Sequence, residues 1–366
     1  MQIKIARPQL MNGIRMARSI AERKGAMPIL SNIVLRTNGQ DGLMIAATDL
    51  SVSVVTQIKS TTIVDGGITL DAAKFDALIS GAAGPDVSLK KTENNWTEVK
   101  IGRSSYKMAG LPDTDFPKIP DHTGHQYVYF DTSLLDEMID RTLFSISTDE
   151  SRFNLAGIFL ESDGEGNVSM TSTDGHRVSK AERKMPNFPK LETGVIIPKK
   201  GLLALKRMLQ RSQQAQIAIV PPHLFVVHED TALSVKLIDG QFLAYHQIME
   251  VPTKSVISVN RLELSSAIRR AELMTTETRG ISISVVKNAI TITSANPNIG
   301  EAREEVEASY DGDPVAIGFN PDYISELLNQ MISEKVIISL DGALSPGHFR
   351  PDSDDVYVGV VLPMRI

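Results

Sequence analysis

The sequence predicts an α+β fold made of three tandem copies of one unit, each with two helices and an antiparallel sheet. Three observations carry that reading. Amphipathic helical periods recur at three places along the 366 residues. Behind each comes a set of alternating segments that reads as paired strands. The polar corner Thr48-Asp49 returns letter for letter as Thr173-Asp174, about 125 residues on. A period that long, with a full core in each copy, means tandem domains rather than a solenoid of small repeats.

The first helix of each copy is expected over 9–24, 133–148 and 261–276. Leu10, Ile14, Ala17 and Ala21 make the apolar stripe of the first. Leu134, Leu135, Met138, Ile139 and Leu143 make that of the second, and Leu262, Leu264, Ala267, Ile268 and Ala271 that of the third. The segments 31–55, 155–181 and 281–307 then run strand, polar turn, strand, corner, strand. A short apolar strand (GITLD, GVIIP, VAIGFN) leads into a second helix, expected over 72–82, 199–211 and 321–332. Strand-rich stretches at 86–110, 216–238 and 336–366 close the copies. Polar, Pro-containing joints place the domains at 1–121, 127–250 and 254–366.

Composition excludes several classes. Cysteine is absent, so there is no disulfide scaffold and no thiolate chemistry, as suits a reducing compartment. No run of about 18 apolar residues exists, so no membrane helix is expected, and the chain reads as cytoplasmic. Phosphate-loop, nucleophile-elbow, zinc-protease and EF-hand patterns are all missing. His122 and His125 lie three apart in a polar joint without a third ligand. Asp174, His176 and Arg177 could suggest a phosphodiesterase centre, but Thr173-Asp174 repeats a corner that lacks both His and Arg. A turn held by the Asp side chain is the simpler reading. No cofactor and no metal are expected.

The net charge is −6, so nucleic-acid binding needs local patches. Such patches exist. Arg7, Arg15, Arg18, Arg23 and Lys24 face only Glu22, and Lys199, Lys200, Lys206, Arg207 and Arg211 face no acid. This suits a phosphate backbone held without base reading. Copies joined head to tail close into rings or run into filaments. A ring of six copies lined by twelve helices at 8–10 Å spacing has a bore of roughly 20–28 Å, enough for duplex DNA.

At this point the residues resemble a known family, the beta subunit of bacterial DNA polymerase III, a sliding clamp. The match runs through Met27-Pro28-Ile29-Leu30-Ser31-Asn32, Ala47-Thr48-Asp49-Leu50, Gly102-Arg103-Ser104 and Thr173-Asp174-Gly175-His176-Arg177. It continues through Val195-Ile196-Ile197-Pro198, Lys236-Leu237-Ile238-Asp239-Gly240-Gln241-Phe242, Ile317-Gly318-Phe319-Asn320 and the closing Val360-Val361-Leu362-Pro363-Met364-Arg365-Ile366. The resemblance implies three clamp domains closing head to tail into a six-domain homodimer ring around duplex DNA. It implies a non-catalytic processivity factor in DNA replication. Its partners would be duplex DNA of any sequence, the polymerase III catalytic subunit, the clamp loader and other proteins with short clamp-binding motifs.

It also implies a peptide pocket between the second and third copies. Carried over by position, the pocket takes Leu155, Thr173, Gly175, His176, Arg177, Val178, Leu243, Gln247 and Ile248. Asn320, Tyr323, Leu344, Pro346, Val360, Val361, Leu362, Pro363, Met364 and Arg365 complete it. Candidate DNA contacts are Arg23, Lys24, Arg152, Lys199, Lys200, Arg207 and Arg269. The dimer interface would set Lys74, Arg103 and Tyr106 against Leu273, Glu301 and Glu304. Leu243 and Gln247 stand where the family often has a proline and an arginine, and Phe153-Asn154 replaces a tyrosine pair. Two other functions remain as alternatives: a metal-dependent phosphodiesterase using Asp174 and His176, and a DNA-binding scaffold that never closes.

Overall fold

The computed structural model describes every residue except 23–24, 150, 211–212, 250–253, 278–279, 354–355 and 366. The first copy runs β1 (Gln2–Ala6), α1 (Arg7–Ile20), β2 (Asn32–Thr37), β3 (Gly42–Thr48), β4 (Val52–Lys59), β5 (Thr61–Val64), β6 (Gly67–Asp71), α2 (Ala72–Gly81), β7 (Asp86–Lys91), β8 (Trp96–Ile101) and β9 (Ser104–Leu111). The second runs β10 (Val128–Asp131), α3 (Thr132–Leu143), β11 (Gly157–Ser162), β12 (Asn167–Thr173), β13 (Arg177–Lys184), β14 (Val195–Pro198), α4 (Lys199–Leu209), β15 (Gln214–Val220), β16 (His223–His228) and β17 (Thr231–Lys236). A one-turn helix, α5 (His246–Met249), precedes the third. That copy runs β18 (Ser255–Asn260), α6 (Arg261–Glu272), β19 (Ile281–Val286), β20 (Ala289–Asn296), β21 (Gly300–Ser309), β22 (Val315–Phe319), α7 (Pro321–Asn329), β23 (Lys335–Leu340), β24 (Gly347–Pro351) and β25 (Tyr357–Val361).

The chain divides into two compact units, each around one antiparallel sheet. The first, Met1–Ser133 with Lys200–Leu237, holds a 13-stranded sheet in the order β10-β15-β16-β17-β4-β3-β2-β6-β9-β8-β7-β1-β5. The second, Leu134–Lys199 with Ile238–Ile366, holds a 12-stranded sheet in the order β14-β11-β12-β13-β25-β24-β23-β18-β21-β20-β19-β22. The middle copy therefore gives half its strands to each sheet. Compactness follows the sheets, while the repeat follows the order of elements.

All six long helices stand where their periods place them, but the first helices are shorter. The segment 9–24 is helical over Arg7–Ile20, because Pro8 suits the first turn and Ala21 turns extended at ψ 136°. The segments 133–148 and 261–276 stop at Leu143 and Glu272. Ile146 stays buried beyond the helix end, so the apolar period outlasts the helix itself. The second helices stop one to three residues before their expected ends, at Gly81, Leu209 and Asn329. Five strands carry no strong pattern in the sequence: β1, β5, β10, β18 and β24.

One device repeats with the helix pairs. The Arg7 guanidinium donates to the carbonyls of Ile79 (2.8 Å) and Ser80 (2.9 Å) at the end of α2. Arg261 does the same to Ser333 (2.8 Å) and Leu328 (3.4 Å) near the end of α7. A cation on helix-terminal carbonyls satisfies orphan acceptors and complements the dipole. Arg7 therefore serves the fold rather than the basic patch it was grouped with. His125 stacks on Phe225 at 4.8 Å.

Candidate functional site

Both repeated corners are the same turn. Asp49 Oδ1 accepts from the backbone N–H of Ser51 (2.8 Å) and Val52 (2.7 Å). Asp174 Oδ1 accepts from His176 (2.9 Å) and Arg177 (3.1 Å). The hydroxyls of Thr48 and Thr173 each accept from the residue two further on, at 3.0 Å. That residue needs positive φ, which Gly175 adopts freely at 90° and Leu50 adopts at 75° with strain. Asp174 is thereby spent on its own turn. Among the described residues no group of three or more His, Asp or Glu is set to hold a metal.

In the second unit this corner stands where the expected peptide pocket would lie. β13 pairs with β25, Val178 facing Val360 and Arg177 facing Val361. Val178, Tyr245 and Val360 form a buried cluster, and Phe159, Phe242, Ile248, Met249 and Val358 pack on it. Tyr245 anchors the segment that carries Leu243, Gln247 and Ile248. Its hydroxyl donates to the Glu161 carboxylate, and burial together with that acid raises its pKa. Phe242 stacks on Phe159 at 4.9 Å and meets Tyr245 edge-on at 6.1 Å. Leu243 and Gln247 stay exposed above that anchor.

The far wall comes from α7. Asn320 caps this helix, its side chain accepting from the Asp322 N–H at 2.9 Å. The Tyr323 ring lies near-parallel to the His176 ring, 6.2 Å away, with the Arg177 guanidinium 4.5 Å over its face. Arg177 is only 7% exposed. It donates to Asp174 Oδ2 (3.0 Å), to the Phe144 carbonyl (3.1 Å) and to the Glu326 carboxylate. Its charge is consumed inside the wall, so it acts as a strut, and His176 is the polar group left at the surface.

The chain end is tied down by two backbone bonds. The N–H of Leu362 bonds the His176 carbonyl and that of Met364 bonds the Gly318 carbonyl, both at 2.9 Å. Leu362, Pro363 and Met364 are half-buried and Arg365 is exposed. Leu155 ends a short turn, Phe153–Leu155, and its carbonyl accepts from Ser147 N–H at 3.1 Å. Asn154 donates to the Gln241 carbonyl at 3.0 Å, tying that turn to the Leu243 segment. Leu344 and Pro346 sit in the loop before β24, with Leu344 79% exposed.

The equivalent corner in the first unit, where β4 meets β17, carries different side chains. The third residue of α4 is Gly201, where α7 has Tyr323. A Cβ there would strike Val235 on β17, so the helix lies directly on the strand. The second residue, Lys200, reaches into the corner and ion-pairs with Asp49. Burial pushes the Asp49 carboxyl up, but Lys200 and the bonds from Val52 and Ser51 outweigh it, and the net pKa falls.

The remaining candidates are spread over both units. In the first, Lys200 and Arg207 share a face of α4, two turns apart, with Arg207 exposed. Lys200 is the one already paired. In the second, Lys199 and Arg269 are exposed, while Arg152 leans on Asp149 (3.5 Å) and the Asp174 carbonyl (3.4 Å). Arg23 and Lys24 fall outside the described residues. Lys74, Arg103 and Tyr106 are exposed in the first unit. Leu273 is 70% exposed and Glu301 is exposed in the second. Glu304 is held by Arg270 at 3.0 Å, which lowers its pKa.

Comparison with known proteins agrees along the whole chain. The N-terminal, central and C-terminal domains of the DNA polymerase III beta subunit match residues 1–120, 130–243 and 248–365. The beta sliding clamp of Pseudomonas aeruginosa is 30% identical over 374 residues, covering 100% of both chains. That of Vibrio cholerae is 29% identical over 376 residues, again covering 100% of both. The crystal structure of the P. aeruginosa polymerase III subunit beta superposes with a TM-score of 0.94 at 29% identity, over 100% of each chain. A sliding clamp from Caulobacter crescentus superposes with the same TM-score and identity, also over 100% of each chain. None of these relatives supports the phosphodiesterase alternative.

Proposed function

The chain belongs to the DNA polymerase III beta subunit family, the sliding clamps, and from that premise we infer that two copies close head to tail around duplex DNA. The protein is a DNA sliding clamp; the ring, its contacts and its partners are the finer reading argued here. It does no chemistry of its own. It holds the polymerase catalytic subunit and other motif-bearing proteins on DNA in the cytoplasm, and a clamp loader opens it. Domain limits at 1–121, 127–250 and 254–366 go with this reading.

The observation that carries closure is a strand register used twice within the chain. At each internal junction the fourth strand of one copy pairs with the last strand of the next. Thr56, the fifth residue of β4, faces Thr231, the first of β17. Ala181, the fifth of β13, faces Tyr357, the first of β25. The third copy offers the same strand, β21, whose described partners over Gly300–Glu307 lie only on β20. The first copy offers its last strand, β9, whose partners over Ser104–Ala109 lie only on β8. Continuing the rule sets Ser104 of one protomer opposite the partner's Glu304. Lys107 then meets the partner's Glu301, and Arg103 meets the partner's Glu305. Two free edges of opposite charge in a fitting register favour each other over indiscriminate pairing.

Exposed Lys199, Arg207, Arg269 and Arg152, with Arg23 and Lys24, are the proposed phosphate contacts, and the groove of the second unit is the proposed peptide site. Retention on DNA tests the ring: a closed clamp stays on circular duplex and is lost when the circle is cut. Equal loss from both forms favours a scaffold that never closes.

A further inference from the structure

Glu326 lies outside the pocket implied by the sequence, yet it holds the residue on which the Tyr323 ring rests. Arg177 is 7% exposed, and all three of its guanidinium nitrogens are engaged. Nε donates to Asp174 Oδ2 (3.0 Å), Nη2 to the Phe144 carbonyl (3.1 Å) and Nη1 to the Glu326 carboxylate. Asp174 belongs to the same corner as Arg177, and Phe144 directly follows α3. Of these three partners, Glu326 alone comes from α7. It stands three residues after Tyr323, which makes the two neighbours on the helix surface. Arg177 Cζ lies 4.5 Å from the centre of the Tyr323 ring and 5.1 Å from that of Phe144. The carboxylate therefore fastens α7 to the corner beside the place where ring and cation meet.

The internal repeat supplies a control. Arg177 opens β13 where Val52 opens β4. Tyr323 and Glu326 are the third and sixth residues of α7, where α4 has Gly201 and Ala204. In the first unit the three places hold no charge and no ring, and α4 settles onto Val235. In the second unit all three change together. A buried guanidinium needs acceptors, and an aromatic face suits a cation, so each member of the trio gives the others their use.

We propose that Glu326 is a positioning residue of the peptide groove: it holds the Arg177 guanidinium against the Tyr323 ring, so that the ring stands as a fixed wall for the bound peptide. This rests on the peptide-groove reading above. Glu326 acts through Arg177 and does not itself touch the peptide. The guanidinium is a rigid planar fork, so a charge-assisted bond to one of its arms fixes direction as well as distance. Without Glu326, Asp174 and the Phe144 carbonyl still hold Arg177, but the hydrogen bond from α7 is gone. The helix itself stays packed, because Leu327 lies against Gly359. The loss is then confined to the placement of the ring.

The test uses the full-length protein and a short labelled peptide from the C terminus of the polymerase catalytic subunit, with affinity read by fluorescence anisotropy. Glu326→Ala should weaken binding about three- to tenfold, the size of one loosened aromatic contact. The position is half-exposed on a helix, where Ala is well tolerated, so the variant folds. Glu326→Gln still accepts from Arg177 and should recover most of that loss. In a Tyr323→Ala background, Glu326→Ala should cost nothing further, because the ring it positions is gone. A general loosening of α7 would weaken both backgrounds alike and would not be rescued by Gln. Wild-type affinity in Glu326→Ala, a Gln variant as weak as the Ala variant, or equal losses in the two backgrounds overturns the role of Glu326 alone. Undiminished affinity in Tyr323→Ala, or no binding of the peptide to wild type, overturns the groove reading and this inference with it.

Discussion

Lys107 on β9 is the sharpest probe of ring closure, because the continued register puts it directly opposite the partner's Glu301. Both residues are exposed on strands with a free edge. An opposite-charge cross-strand pair contributes about 0.2–1 kcal/mol, and like charges directly opposite cost a similar amount. Lys107→Glu exchanges one for the other, a change of about 0.4–2 kcal/mol at each interface. A two-fold ring has two identical interfaces that form together, so the dimer loses about 0.8–4 kcal/mol. At 1.4 kcal/mol per tenfold, the dissociation constant rises roughly four- to several-hundred-fold. Sedimentation equilibrium over a concentration series reads this directly. The effect should shrink in 1 M salt, where the screening length falls to about 3 Å. The reciprocal change in the same chain, Lys107→Glu with Glu301→Lys, should recover most of the loss. A single variant that dimerises like wild type, or a double variant no better than the single, would refute the register.

The other expectations follow from the same geometry. Leu273→Asp sets a charge in the apolar part of the interface and should leave monomers at micromolar concentration in sedimentation; a persistent dimer would move the interface elsewhere. Deleting 362–366 should abolish binding of a polymerase-tail peptide in a chain that stays folded and dimeric, and Met364→Ala should weaken it about tenfold, from about 1–2 kcal/mol of lost apolar contact. Lys199→Glu with Arg207→Glu should weaken duplex binding equally for all sequences and flatten its salt dependence; Lys200→Glu is a poorer probe, since it strands Asp49 beside a like charge. Asp49 has a lowered folded pKa, so its stabilisation is present above the unfolded value of about 3.9 and is lost as pH falls through the folded one. Lys200→Met should therefore move acid unfolding, followed by circular dichroism, to higher pH.

The sequence displays its helices through period and its paired strands through alternation, and the repeated Thr-Asp corner shows the copies outright. Helix ends are less legible. Ile146 continues the apolar period after α3 has stopped, because a core accepts a loop side chain as readily as a helical one. Strands β1, β5, β10, β18 and β24 are short, and their place in a sheet depends on partners far along the chain. Around the proposed groove the sequence names positions but does not show what their side chains do. Arg177 looks like a ligand-facing cation in sequence and proves to be a buried strut, because its partners Phe144 and Glu326 lie 33 and 149 residues away. Tyr245 and His348 carry no local motif. A buried tyrosine that donates to Glu161, and a histidine that faces Val360, are products of the ladder alone.

What distinguishes the junctions is a handful of side chains set on one repeated backbone pairing. The first residue of the fourth strand is Val52, Arg177 or Gly300 in the three copies. The third residue of the second helix is Gly201 or Tyr323 at the two internal joints. Gly201 lets α4 settle onto Val235, and Lys200 reaches the corner at Asp49. At β13–β25, Tyr323 is too large to settle in that way. Arg177 and His176 brace its ring, and Gly175 gives the corner no side chain, beside the proposed groove. In the proposed third pairing, between β21 and the partner's β9, the facing positions would hold charges in place of buried aliphatics. Surface ion pairs hold weakly and yield to competition, as a ring that must open for DNA requires. On the proposed reading, one register serves a joint within the first unit, a binding site within the second and a gate between protomers, and the side chains at equivalent positions set them apart.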